Sequence, residues 1–319
     1  KHYLLNLTIK LFHFVIMKFA LTGTAGYIAP RHLKAIKETE NLLVASFDPH
    51  DSVGVLDQFF PHADYFNESE RFERHLVKLS QHNNSKIDYL SVCSPNYLHD
   101  SQIRLGLNLG ANVICEKPIV LYPQNLDSLE ELELKSGKKV FTVMQLRHHP
   151  SIIELKEKLK TSTNKKHEVE LTYIASRGNW YHYSWKGEDE KSGGIATNIG
   201  IHLFDLLIWL FGDVLKSEVY LSDNKKMSGS LELKNANVTW FLSIDENDLP
   251  AEIRLHNKMT YRSINIDGNE IKNSKINGTV EIYKDNSIRL SGNSEINGKI
   301  LGIEFKDFFN LRAPANIQI

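Results

Sequence analysis

The chain of 319 residues is long enough for two medium domains, each with its own core. Hydrophobic residues make up 41% and charged residues 24%, the balance of an ordinary globular protein. A net charge of −1 provides no basic field for nucleic acid or an anionic membrane surface.

The two cysteines, Cys93 and Cys115, lie inside apolar runs. They are expected as reduced core thiols of a cytoplasmic protein, not as a disulfide or metal site. Lys1–Ile16 is apolar but interrupted by Asn6, Thr8, Lys10 and His13. It offers no membrane-spanning length and no cleavage site. It is expected to be a non-native or disordered extension ahead of Met17, with a weak interfacial anchor as the alternative.

From Lys18 the chain alternates strands and helices. The run Lys18–Thr22 ends at Gly23-Thr-Ala25-Gly26-Tyr27-Ile28. A helix is expected over Pro30–Thr39 and a second strand over Asn41–Phe47, followed by Asp48. Strand, glycine turn, helix, strand and acid form the setting of a dinucleotide-binding fingerprint. The glycines allow a tight turn and a close approach to a pyrophosphate at the helix N-terminus. A carboxylate at Asp48 can take the adenosine ribose hydroxyls and would repel a 2′-phosphate, which favours NAD over NADP. Ala25 stands where the fingerprint usually has a second glycine.

Further units follow: a helix over Arg71–Leu79, a strand over Ile87–Cys93, a helix over His99–Leu109 and a strand over Ala111–Cys115. An acidic helix over Gln124–Leu134 and a strand over Lys139–Met144 complete the half. The alternation predicts a doubly wound parallel sheet with ligands beyond the carboxyl ends of its strands. Gly23–Gly26, Asp48, Ser94–His99 and Glu116–Pro118 all lie at such ends. The domains are expected at 17–145 for NAD binding and 146–319 for an α+β substrate-binding and oligomerisation domain.

In the second half Glu168–Ser176 alternates as a half-buried strand. An aromatic segment, Arg177–Lys186, leads into an apolar helix that opens on Gly193-Gly194 and runs to about Phe211. On it Asn198, His202 and Asp205 share one face. Six strands are expected beyond it, over Leu215–Leu221, Ser228–Leu233, Val238–Ile244, Ala251–His256, Tyr261–Ile266 and Val280–Tyr283. Together they make a large, mostly antiparallel open sheet, and the tail Leu301–Ile319 is expected to pack back on the body.

Glu116-Lys117-Pro118 after a strand, followed in order by Gly193-Gly194-x-x-x-Asn198-x-Gly-x-His202-x-x-Asp205, resembles the glucose–fructose oxidoreductase/inositol dehydrogenase (Gfo/Idh/MocA) family. The resemblance covers nearly the whole chain from Met17. Gly26–Leu33, Ser94–Asp100, Gln145–Arg147, Ser176–Tyr181 and Gly194–Gly200 are similar to the branch that acts on UDP-N-acetylglucosaminuronic acid. That resemblance implies oxidation of the sugar C3 hydroxyl with NAD in surface-polysaccharide (O-antigen) synthesis. It also implies a UDP-sugar uronate as partner, a cytoplasmic homotetramer and a cofactor reoxidised by 2-oxoglutarate. Most of the wider family carries Asp where this chain has Asn198, which cannot take a proton but can hold a hydroxyl.

Removing hydride from a secondary alcohol requires a base for the hydroxyl proton. Lys117 and His202 are the expected catalytic pair, with His202 placed first as base because imidazole titrates near neutrality. Lys117 would have to be depressed by burial, or act as a cation on the developing oxygen charge. Expected cofactor contacts are Gly23, Ala25, Gly26, Tyr27, Ile28, Asp48, Ser94, Pro95, Asn96, His99, Glu116, Lys117 and Gln145. Expected substrate contacts are Lys117, Arg177, Tyr181, Asn198 and His202. Asp205 is expected to be scaffold. Arg147 with His148 and His149 is a further candidate from the domain junction, and no metal site is expected. A dehydrogenase of free sugars or inositol and a non-catalytic NAD- or sugar-binding regulator are the competing functions.

Overall fold

The computed structural model describes residues 16–160, 166–270, 289–290 and 294–295. Strand β1 (Lys18–Thr22) leads through the glycine turn into helix α1 (Ala29–Glu38), and strand β2 (Leu42–Phe47) follows. Next come α2 (Val55–Phe59), β3 (Asp64–Phe66), α3 (Ser69–Ser80), β4 (Tyr89–Val92) and α4 (His99–Asn108). The half closes with β5 (Asn112–Cys115), α5 (Asn125–Ser136) and β6 (Val140–Thr142). The strands form one sheet in the order β3-β2-β1-β4-β5-β6, and every pair is parallel. Sequence order reverses between β1 and β4, so the loops after these strands flank a crevice at the sheet's carboxyl edge.

Both faces of this sheet are covered, which is why its strands read as apolar runs. Phe19, Leu21 and Leu43 meet Leu33 and Ile36 of α1 on one face. Ala20, Leu90 and Val113 meet Phe72, Leu76, Ile103 and Leu107 of α3 and α4 on the other. Each fully buried Leu or Ile contributes roughly 1.5–3 kcal/mol of transfer free energy. Cys93 and Cys115 are buried free thiols in these layers.

Helix α6 (Pro150–Lys160) joins the halves and is absent from the sequence expectation. Pro150 fits a first helical turn, and Ile152, Leu155 and Leu159 supply the apolar stripe that packs on the second core. Strand β7 (His167–Ala175) follows, then the short helices α7 (Trp180–Tyr183) and α8 (Asp189–Ser192), and then α9 (Ile201–Phe211). Strands β8 (Val214–Ser222), β9 (Lys226–Leu233) and β10 (Ala236–Ser243) are joined by tight turns, including Lys234-Asn235 between β9 and β10. Helix α10 (Ala251–Leu255), β11 (Thr260–Ile266) and β12 (Asn269–Glu270) complete the sheet. Its order is β12-β11-β7-β10-β9-β8, antiparallel except for the β7–β10 pair. Arg289–Leu290 and Ser294–Glu295 pair separately.

One expected strand is a helix. Residues 251–256 follow Pro250, whose carbonyl accepts from Ile253 and Arg254 N–H groups at 3.0 and 3.1 Å and so starts a helical turn. The expected strand Val280–Tyr283, the tail 301–319 and residues 1–15 lie outside the described residues. The Asp189–Phe211 stretch is apolar and long enough to cross a bilayer, yet 67% of its most apolar window is buried in the protein. Leu203, Leu207 and Phe211 place it over the second sheet as a core helix.

Candidate active site

The expected single helix over 193–211 is interrupted. Gly193 and Gly194 take positive φ values of 82° and 73°, and a Cβ at Gly193 would stand 2.7 Å from Thr197 Cγ2. The chain then makes a π turn over Ala196–Gly200 before α9 begins. Such turns misalign the backbone ladder and recur at functional sites. Here the Asn198 carbonyl in that turn accepts a hydrogen bond from Lys117 Nζ at 2.6 Å. Lys117 comes from the end of β5, so this bond spans the two halves.

Two further bonds close the same seam. Asn96 Nδ2 donates to Ser192 O at 2.8 Å, and Arg147 Nε donates to Asp205 Oδ2 at 2.7 Å. Arg147 Nη2 also bonds Asp205 Oδ1, making a two-point ion pair with Asp205 fully buried. Asp205 is therefore scaffold. Arg147 is committed to it rather than to the cleft, which corrects the expectation for the Arg147–His149 segment. His149 is buried too, its Nδ1 accepting from Ser151 N at 3.2 Å.

Between the halves lies a cleft of about 720 Å³. One wall holds Gly23, Ala25, Gly26, Tyr27, Ile28 and Asp48. The floor holds Ser94, Pro95, Asn96, His99, Glu116 and Lys117, and the far wall holds Arg177, Tyr181, Lys186 and Asn198. Gln145 and His202 are absent from this lining. Each keeps a buried atom without a partner, Gln145 Oε1 and His202 Nδ1, as does Arg177 Nε. Of the three, Arg177 lines the cleft, and an orphaned polar atom there is what a ligand would satisfy.

The glycine turn fits a dinucleotide for a stated reason. Gly23 has φ of 80°, and a Cβ there would sit 2.5 Å from the Cys93 and Ser94 backbone, so only glycine lets the loops after β1 and β4 touch. Asp48 caps the crevice, with Oδ2 accepting from Ala25 N and Oδ1 from His50 N, both at 2.9 Å. Asp48 lines the cleft, and each of its oxygens keeps capacity to accept from a ribose hydroxyl.

Some expected contacts have other work. His99 is fully buried with both ring nitrogens on carbonyls, Pro118 O at 2.5 Å and Ser94 O at 2.9 Å. It ties the loops after β4 and β5 together and has no nitrogen left for a ligand. Ser94 Oγ donates to Gln102 Oε1 at 2.7 Å. Glu116 lines the cleft but turns Oε1 toward His32 Nε2 at 3.1 Å. His32 is the buried polar residue that sequence reasoning passes over. Its signal is its place on the apolar face of α1, between Ala29, Leu33 and Ile36.

Burial pushes the Lys117 ammonium down to about 8, with Lys186 and Arg177 adding to the fall and Glu116 opposing it. Burial also drives His202 down to about 3, helped by the charge of Lys117. A base works best when it titrates near the working pH, so Lys117 suits proton uptake better than His202. The rest of the far wall is cationic and aromatic. Arg177 lies 5.9 Å over the Tyr181 ring, and Lys186 lies 5.6 and 5.5 Å from the Trp180 and Trp185 rings. Asn198 Nδ2 donates to Tyr181 Oη at 3.3 Å.

A parallel sheet with this glycine turn and acid, a lysine at a neighbouring strand end and a histidine helix across the cleft define a nicotinamide-dependent oxidoreductase class. Residues 17–144 match the oxidoreductase family with an NAD-binding Rossmann fold, and residues 165–296 match that family's C-terminal alpha/beta domain. The chain belongs to the Gfo/Idh/MocA oxidoreductase family. It is similar to the WlbA (WbpB) dehydrogenase from Thermus thermophilus, whose structures contain NAD with alpha-ketoglutarate and NAD with UDP-GlcNAcA. To the first it is 53% identical, over 80% of this chain and 82% of that one, with a TM-score of 0.78. To the second it is 46% identical, over 94% and 97% of the two chains, again with a TM-score of 0.78. It is also 27% identical to the D-glucoside 3-dehydrogenase of Escherichia coli (strain K12), over 40% of this chain and 36% of that protein. The chain spans between about a third and a half of the length of the first curated relatives it matches.

Proposed function

We propose that the chain oxidises the C3 hydroxyl of UDP-N-acetylglucosaminuronic acid to the ketone with NAD. The observation that carries this reading is the cationic and aromatic wall of Arg177, Tyr181, Trp185 and Lys186 facing Lys117 across one cleft. Cations suit a uronate carboxylate and a pyrophosphate, and aromatic faces suit a sugar ring and uracil. The likeness to the Thermus dehydrogenase over nearly its whole length supports the same substrate class.

Gly23, Ala25, Gly26, Tyr27, Ile28 and Asp48 would hold the adenosine and pyrophosphate end of NAD, and Ser94, Pro95 and Asn96 the stretch beyond it. Bound NAD supplies the acceptor for the hydride that leaves the sugar carbon. Lys117, depressed by burial, takes the hydroxyl proton, and the Asn198 carbonyl fixes its amine on the α9 side. His202 is uncharged at neutral pH and offers a hydrogen bond to the reacting oxygen. Asn198 and Tyr181 orient the sugar. Deprotonating the alcohol as hydride leaves avoids a full alkoxide, the step a nearby cation or acceptor amine eases.

2-Oxoglutarate, with two carboxylates, suits the same cations and serves in this reading as the acceptor that returns the cofactor to its oxidised state. The setting is cytoplasmic surface-polysaccharide synthesis by a homotetramer. Exposed Leu215, Val219 and Tyr220 on β8 support assembly of more than one copy. The decisive measurement is turnover of the UDP-uronate followed by nicotinamide reduction. Lys117→Met with His202→Asn is expected to lower turnover on the order of 10²–10⁴-fold, and unchanged turnover removes the assignment. Thermal shifts with UDP-sugars against free sugars and inositol decide the substrate class. Stabilisation by the free polyols alone would favour the competing dehydrogenase.

A further inference from the structure

Helix α1 carries a buried histidine that this mechanism leaves unused. His32 is 6% exposed, its Nδ1 lying 2.7 Å from Ser91 Oγ on β4 and its Nε2 3.1 Å from Glu116 Oε1 just beyond β5. An imidazole between a hydroxyl and a carboxylate can donate from both nitrogens, which requires the charged ring. Ser91 can then turn its own proton toward Cys93 Sγ, 4.0 Å away. Glu116 is the residue directly before Lys117. A lone carboxylate buried there would be costly, and it would hold Lys117 in its charged form.

We propose that His32 is a positioning residue: as an imidazolium paired with Glu116, it cancels the carboxylate charge behind Lys117 and so leaves Lys117 free to give up its proton. The inference rests on Lys117 acting in proton transfer, as given above. It assigns a role to a side chain that touches neither sugar nor nicotinamide in that mechanism.

The groups that face this cluster are few. His32 meets Cys93 and Ser91 from β4 and Glu116 from the β5 end. Glu116 faces His32, Lys117 and, from α9, His202. Lys117 faces Glu116 together with Arg177 and Lys186 from the segment after β7. His99 on α4 senses both Glu116 and Lys117. Arg262 on β11 acts on His202. Among these groups Glu116 thus faces two cations, His32 behind it and Lys117 beside it, and the other nearby cations, Arg177 and Lys186, already disfavour a charged Lys117. The titration behaviour agrees with the geometry. Burial works against a charged His32, but Cys93 and Glu116 outweigh it and push the ring up to about 10. Burial likewise opposes the Glu116 carboxylate, but His32 and then Lys117 hold it below its ordinary range.

The test measures Lys117 directly and needs no substrate. Competitive acetylation of the full chain over a pH series, read at Lys117 by mass spectrometry, reports its ionisation. His32→Gln keeps a donor for Glu116 but removes the charge. The Lys117 ionisation is expected to rise by about one pH unit or more. Glu116→Gln is expected to lower it. In that background His32→Gln is expected to do nothing further, because the charge it cancelled is gone. The pH profile of kcat/KM for the uronate should move with the acetylation midpoint. A folded His32→Gln protein with Lys117 unmoved overturns the inference. If that variant fails to fold, Glu116→Gln decides alone, and an unmoved Lys117 there overturns it as well. Shifted acetylation without uronate turnover would leave the inference standing and remove the functional reading. Normal turnover with unmoved acetylation would do the reverse.

Discussion

Two carboxylates largely withdrawn from solvent, Glu116 and Asp205, are each paired with a cation that is itself largely covered, and they do different work. Glu116 with His32 ties α1 to the end of β5 inside the first domain, with side chains 14% and 6% exposed. Asp205 with Arg147 ties α9 to the turn after β6 across the domain seam, with side chains 1% and 13% exposed. Burial and pairing are alike in the two. The neighbours are not: Glu116 senses Lys117 and His202, whereas Asp205 senses Arg147 and His148. Asp205 stands one helical turn beyond His202, so the same helix carries a proposed substrate contact and then a strut. A buried ion pair alone is thus no guide to chemistry. What decides is whether the carboxylate also faces a group that must change its charge.

The largest expected effect falls on the strut. Asp205→Ala leaves Arg147 charged, buried and unpaired, which typically costs 3–5 kcal/mol, about the loss expected in denaturant unfolding of this variant. The Lys117 ionisation should stay where it is. A stability loss under about 1 kcal/mol would dissolve the contrast between the pairs, since Asp205 would then carry no load.

The pH dependence of stability separates them next. The folded pKa of His32 is raised, so its contribution is fully present below the unfolded value of 6.5 and is lost as pH rises toward about 10. Lys117 is lowered from 10.5 to about 8, so it destabilises the fold below 8 and that penalty is relieved as pH rises through 10.5. The two oppose each other above pH 8. Between 6.5 and 8 the His32 loss stands alone and amounts to about 2 kcal/mol at 1.36 kcal/mol per unit. His32→Gln should flatten that stretch of the unfolding curve while Asp205→Ala leaves its slope intact. On the acid side, His202 is lowered from 6.5 to about 3, so stability should fall as pH drops through that window, and His202→Asn should make the fall shallower while the burial-lowered His99 and His149 keep part of it. A His32→Gln slope equal to wild type between pH 6.5 and 8 would mean that the ring is neutral in the folded protein.

How much of this was legible in the sequence follows from how local each signal is. The Rossmann half could be read because both of its faces are covered, so its strands and helices carry continuous or strongly periodic apolar runs. Lys117 and Asn198, which the fold brings into contact, could be singled out because fixed spacings place them on a strand end and a helix face, whereas His202 from the same helix lies outside the cleft lining. The π turn could not be foreseen, since Ala196–Gly200 has the composition of an ordinary helical start. Its consequence, a backbone carbonyl rather than an amide side chain gripping Lys117, depends on a contact 81 residues away in sequence. Residues 251–256 read as a strand because an alternating apolar pattern over six residues does not distinguish strand from helix, and Pro250 settled the matter locally. The pairing of His32 with Glu116 spans 84 residues, and its one local trace, a histidine on an apolar helix face, names no partner.

The smallest expected effect lies on the far wall, where neither pair reaches. Tyr181 is 3% exposed, and its hydroxyl accepts the long 3.3 Å bond from Asn198 Nδ2. Tyr181→Phe keeps the ring under Arg177 and removes only the hydroxyl, so stability should change by no more than about 1 kcal/mol. The freed Asn198 amide loses its orientation, and Asn198 is the group proposed to hold the sugar. The expected result is a rise in KM for the UDP-uronate of about 3–10-fold with kcat nearly unchanged, the pattern of lost ground-state binding. Lys117 should titrate as in the wild type, because its grip comes from the Asn198 carbonyl and its field from Glu116 and the far-wall cations. A fall in kcat beyond about a hundredfold at constant KM would place Tyr181 in proton transfer itself. The contrast would then run between Tyr181 and Lys117, and no longer between the two buried pairs.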